Sequence, residues 1–308
     1  MVVVTVLLLT ELKHTFTEFA QRMKNDEMIT LAKFLAISGI ILPMLPHKNL
    51  IPDINLTPYT IWLATVVVSG ISYLSYLLRR YVFQESGILV SGIIGGLYSS
   101  TATISVLARK SRKAPAQEAP EYAAAMLLAV SMMFLRFLIL IGIFSKAILA
   151  AIYPYLLIMS LVTAGVAWFL HRKRQPVPLT EGEIEEEDSS NPLEFKVALI
   201  FAVLFVIFTI VTHYTLLYTG TGGLNVLSFI AGLSDITPFI LNLLQGSGVA
   251  VLVVTACCMQ AIVSNIAVNM CYALFFAGGR SPLRRWVLRG FGCVIAVNVC
   301  LLIFFYLL

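Results

Sequence analysis

Charge is scarce in this sequence. Only 12% of its 308 residues are Asp, Glu, Lys or Arg, roughly half the share found in a soluble domain (~25%), while 59% are hydrophobic and the mean hydropathy is +0.91. That balance excludes a water-soluble fold and implies an all-α polytopic membrane protein whose first partner is the lipid bilayer. Metal-ligand patterns are missing too. His14, His47, His171 and His213 fall near loops or the ends of apolar runs, and no HExxH occurs. The five cysteines (Cys257, Cys258, Cys271, Cys293, Cys300) lie in apolar runs without a CxxC or Cys/His cluster. Neither metal nor disulfide is expected, and small apolar packing is their role. No cofactor is implied.

No basic patch interleaved with aromatics appears, so the net charge of +5 does not imply nucleic acid. The basic residues cluster instead in short loops between apolar runs. The N-terminus lacks a basic flank and a small-residue cleavage site, and is not a typical signal peptide. Val2 to Leu9 is too short to cross a bilayer, which takes about 20 residues, so the chain is expected to open on a partial span.

What is present is a repeated interruption. Gly87 to Arg109, GILVSGIIGGLYSSTATISVLAR, is apolar enough for a bilayer, yet carries Gly95-Gly96 and then Ser99, Ser100, Thr101 and Thr103. Glycine pairs weaken a helix, and Ser/Thr after a break can cap a new one. The spacing predicts two half-helices meeting at a polar, glycine-lined tip. A related stretch returns in the second half as Phe229 to Phe239, FIAGLSDITPF, where Gly232, Ser234, Asp235 and Thr237 occupy the matching region. Two interrupted apolar segments in corresponding halves point to a transporter site.

The halves match elsewhere. Thr57-Pro58 before one span resembles Asn191-Pro192 before another. Ala129-Val-Ser131 resembles Ile262-Val-Ser264, and five residues beyond each serine stand Arg136 and Asn269. The chain divides into residues 1–56 (a partial span, a surface helix and a first full span), a first repeat over 57–174, an acidic linker over 175–192 and a second repeat over 193–308. Each repeat is read as three spans plus one re-entrant or interrupted hairpin. Charge favours hairpins. If both interrupted segments cross fully, the basic loop residues divide almost evenly between the two faces. If both turn back, all but Lys48 and Lys146 fall on one face, as the cytoplasmic excess of Lys and Arg requires. The repeats are then inverted, the linker is cytoplasmic, and the membrane is the bacterial inner membrane.

GGLYSSTATISVLAR, with the upstream LTPYTIW ending at Trp62, the later AGLSDITPFI and Ser264-Asn265, resembles a bacterial family of uncharacterised membrane proteins, the domain of unknown function numbered four thousand and ten. The resemblance covers nearly the whole chain. It implies a frequent fusion behind an MgtC/SapB-type membrane domain, and so such a domain as a partner. Two positions depart from the family pattern: Thr237 stands where a second acid is usual, and Asn269 where a lysine is usual.

Half-helix N-termini offer free N–H groups and the positive end of a dipole. Ser99, Ser100 and Thr101 would therefore hold an anionic or hydroxyl-bearing solute, or else serve with Gly92, Gly95 and Gly96 as a close-packing face. Asp235, the only acid deep in an apolar segment, suits ion coupling and also an N-cap ahead of Pro238. Arg136 either pairs inward with Asp235 or a solute, or snorkels to the interface. Asn265 and Asn269 share a helix face, as ligands or as glue between helices. The candidate binding residues are thus Gly95, Gly96, Ser99, Ser100, Thr101, Gly232, Ser234, Asp235, Thr237, Ser264, Asn265 and Asn269, with Asp235 and Arg136 for ion coupling. The function expected is a secondary transporter for a small solute or ion. A re-entrant-loop channel and a non-transporting regulatory protein are the alternatives, and a homo-oligomer is compatible with each. No nucleophile–base pair or paired intramembrane acids appear, which argues against an enzyme.

Overall fold

The computed structural model describes residues 25–50, 54, 56–78, 87–173, 195–245, 249–279 and 281–307. The partial span before residue 25 and the whole of the acidic linker lie outside them. Nine α-helices are described: α1 (Asn25–Met44), α2 (Pro58–Leu77), α3 (Ile88–Lys110), α4 (Ala119–Phe144), α5 (Lys146–His171), α6 (Phe195–Gly232), α7 (Ile236–Leu244), α8 (Val251–Ala277) and α9 (Leu283–Leu307). Seven are long and apolar enough to cross a membrane: all but α1 and α7. The chain is an all-α polytopic membrane protein.

Local chemistry explains the starts. Thr57 and Thr60 exchange a reciprocal capping box, Thr57 Oγ1 accepting from Thr60 N at 3.1 Å and Thr60 Oγ1 from Thr57 N at 3.2 Å, with Pro58 in the first turn where its missing N–H costs nothing. Ser145 caps α5 by accepting from Ile148 N. Asp235 caps α7 by accepting from Thr237 N at 2.9 Å.

Length alone misreads two of the seven helices. In α3 the helical geometry fails at Ser99 (φ −157°, ψ 110°), and a methyl placed on Gly95 would overlap the side chain of Thr103. Residues eight apart in a straight helix are separated by about 12 Å along its axis, so the chain doubles back at Ser99. Each limb, of about 16 Å, covers half of a roughly 30 Å hydrocarbon core. Gly92 lies against the main chain of Ala125, and Gly96 against that of Ala129, so the first limb runs parallel to α4. Arg112 donates to Phe275 O at 3.3 Å and Arg109 stacks over the Phe276 ring. The second limb therefore ends beside the C-terminus of α8.

Helix α6 breaks at Gly220 (φ 63°, ψ −154°), a backbone region that glycine enters without strain. The chain reverses there and again at residues 233–235. Phe239 packs edge-on against Phe208 with ring centroids 5.6 Å apart, and Asn242 donates to Thr212 Oγ1 at 2.8 Å. These contacts place α7 beside the middle of α6, out of reach if α6 ran straight to Gly232. The limb over residues 221–232 runs parallel to α8, with Ser228 against Gln260 and Gly232 against Ala261 and Ser264. Both interrupted segments thus fold back on themselves as hairpins.

Helices α4 and α8 are the most enclosed of the long helices, and each carries one hairpin. Phe134, Phe137, Phe239 and Phe291 fill the space between them and their neighbours, all fully buried. Ser131 donates to Ser160 O at 2.9 Å to tie α4 to α5, and Tyr155 OH donates to Asn298 Oδ1 to tie α5 to α9.

Candidate functional site

The two hairpin tips meet. Arg136, on α4, donates through Nη1 to Tyr98 O at 2.9 Å and through Nη2 to Thr237 Oγ1 at 3.2 Å. One guanidinium thus joins the carbonyl end of the first hairpin's descending limb to the start of α7 in the second. It points inward, and the snorkelling alternative is set aside. A second connection runs the other way. Thr101 Oγ1 donates to Asn269 Oδ1 at 2.9 Å, Asn269 Nδ2 to Asn265 Oδ1 at 3.1 Å, and Asn265 Nδ2 to Gly232 O at 3.2 Å and Ser234 O at 3.4 Å. In both cases a side chain on a central helix satisfies carbonyls that a broken helix leaves without intrahelical partners.

The helix starts at the tips are handled differently. Ser99 Oγ accepts from Ala102 N at 3.3 Å, the neutral cap of the first tip. Asp235 Oδ1 accepts from Thr237 N in the second. Among the described residues its other carboxylate oxygen takes no hydrogen bond, and Ser234 and Asp235 are exposed. The acid and Arg136 interact electrostatically without a direct ion pair; the guanidinium donates to Tyr98 and Thr237, and its Nε is buried without a partner among the described residues. One tip therefore carries hydroxyls beside a cation, the other a carboxylate, within two hydrogen bonds of each other.

Not every expected residue faces this junction. Gly95 and Gly96 are helical, and the break comes at Ser99. The side-chain face of Gly96 is taken by Ala129, that of Gly95 by Thr103, and that of Gly232 by Ala261 and Ser264. These glycines let backbones approach. Ser264 donates to Phe229 O at 2.8 Å and holds the descending limb to α8. Ser100 is buried at the start of the ascending limb. Thr101, Thr237, Asn265 and Asn269 form the bridges, and the asparagines act as glue that also reaches both tips.

Five participants were not anticipated. Tyr98 joins Arg136 through its main-chain carbonyl, for which no side-chain signal exists. Asn225, Ser228, Gln260 and Tyr306 form a cluster beside the second hairpin: Ser228 Oγ donates to Gln260 Oε1 and Gln260 Nε2 to Tyr306 OH, both at 2.6 Å, while Tyr306 OH reaches Asn225 Oδ1 at 3.5 Å. Amides at 225 and 260 inside apolar runs were the available clue. Among the described residues no three His, Cys, Asp or Glu side chains group closely enough to hold a metal ion.

The model of a protein family described as "Domain of unknown function (DUF4010)" matches residues 66–277. The chain belongs to that family. The matched region includes both hairpins and both bridging helices. An "Uncharacterized protein" of Aquifex aeolicus (strain VF5) is 26% identical over 197 residues, covering 61% of this chain and 82% of the relative. No solved structure matches the chain.

Proposed function

We propose that this protein is a secondary transporter that binds a small anionic or hydroxyl-bearing solute between the two hairpin tips, with Asp235 coupling a proton or cation. The observation that carries the reading is the crossed pair of bridges, Arg136 to Thr237 and Asn269 to Thr101. Broken helices facing each other present their dipole ends to a solute at half depth. The first tip, with Ser99, Ser100 and Thr101 beside Arg136, suits a negative or hydroxyl group. The carboxylate of the second suits the coupling ion.

The two halves are proposed to be inverted repeats. In support, the same sequence spacing separates Gly96 from Gly232, Ser99 from Asp235 and Thr101 from Thr237, and each pair holds an equivalent place in its hairpin. The face bearing Arg109, Lys110, Arg112, Lys113, Arg172, Lys173, Arg284, Arg285 and Arg289 is assigned to the cytoplasm of a bacterial inner membrane by its charge.

A thermal-stability screen of ions and small metabolites on the purified protein tests the proposal. A specific solute at about a hundred times its Kd should add about 2.7 kcal/mol of stability, and Asp235→Asn and Ser100→Ala should each reduce that gain. A gain unchanged in both variants removes the site. Cysteines at positions 99 and 235 separate carrier from channel: a carrier exposes them to one face at a time, a channel exposes them continuously.

A further inference from the structure

Away from the hairpins, α5 and α9 diverge to leave a groove of about 420 Å³ lined by Val162, Gly165, Val166, Leu170, Gly290 and Cys293, with Lys173 and Arg289 at its basic end. We infer that this groove is a binding site for one anionic phospholipid, its acyl chain lying along α5 and its phosphate held between Lys173 and Arg289. Three observations select that occupant. From Lys173 to Val162 the helix rises about 16 Å, close to the thickness of one hydrocarbon leaflet (about 15 Å). The walls are apolar and the two cations stand only at the end that opens on the basic face. Both cations are anchored, Lys173 Nζ over the Phe169 ring at 4.4 Å and the Arg289 guanidinium over Trp286 at 5.8 Å. Their stems are thereby held at the mouth, while the charges stay exposed for a phosphate.

Gly165 gives the slot its width, since nothing lies within 4 Å of where its side chain would be. Leucine there fills the slot without touching the charges.

The test is saturable binding of phosphatidylglycerol and of phosphatidylcholine with identical acyl chains to the delipidated, detergent-solubilised protein, read by native mass spectrometry. The expected result is one tightly retained phosphatidylglycerol and no equivalent phosphatidylcholine. Lys173→Gln and Arg289→Gln should each weaken retention about fivefold, and Gly165→Leu should abolish it with both cations in place. Elution profile and melting temperature in zwitterionic lipid should be unchanged in all three variants, because none of these side chains supports the core. Equal retention of the two lipids, or retention indifferent to both charge variants, overturns the inference. So does full competition by glycerol 3-phosphate at matched concentration, which would make the occupant a soluble phosphate.

Discussion

Arg136 and Thr237 sit in different halves of the sequence and meet at 3.2 Å, while Asn269 and Thr101, also in different halves, meet at 2.9 Å. Each central helix thus reaches across to the other hairpin's ascending limb. Hydrogen bonds between membrane helices average about 0.6 kcal/mol and reach about 1.7 kcal/mol, so these bridges tie the tips without locking them.

Arg136→Gln combined with Thr237→Val should show positive coupling. A double-mutant cycle on unfolding in detergent is expected to return about 1 kcal/mol between them. Arg136 with Thr101, which share no bond, should give a value near zero.

Asp235 does two jobs that substitution can separate. Asparagine caps a helix about as well as aspartate, so Asp235→Asn should leave the melting temperature nearly unchanged while removing ion-dependent stabilisation by solute. Asp235→Ala should additionally cost about 1 kcal/mol through the lost cap. Equal melting temperatures for the two variants would show that the cap contributes nothing.

Glycines in contact and in open space should behave oppositely. Gly96→Leu drives a side chain into the Ala129 main chain, and forced overpacking of this kind costs about 1–3 kcal/mol or more. Gly165→Ala meets nothing and should be neutral or slightly stabilising, since alanine favours helix. Thermal unfolding of the two variants in one detergent makes the comparison.

The hairpin topology predicts labelling. In a background lacking the five native cysteines, single cysteines at positions 87 and 113 should react with an impermeant maleimide from the same side of sealed vesicles. A cysteine at position 146 should react from the other. Positions 87 and 113 reacting from opposite sides would mean that α3 crosses.

The existence of both interruptions could be read from Gly-Gly, the Ser/Thr cluster and the lone acid at 235, because polar and flexible residues are costly in an apolar segment unless they serve a break. Their position could not. Gly95-Gly96 signals a weak helix and a close contact equally well, and only the packing against Thr103 and Ala129 decides for contact. The charge pattern favours hairpins over crossings because it sums over many loops, whereas the direction of Arg136 rests on one rotamer that no pattern encodes. The sharpness of the turn at Gly220 is illegible for a similar reason: the glycines at 220, 222 and 223 mark a loop between spans without showing that the helix reverses in a single residue.

Gly92 and Gly96 press one descending limb onto α4 main chain to main chain, and Gly232 with Ser264 presses the other onto α8. Contacts that close leave no room for sliding, so each limb travels with its supporting helix as a single piece. In the proposed transport cycle, any rocking between the halves would then be taken up along the thin polar seam between those two pieces, where a handful of side chains can exchange partners without unpacking either core.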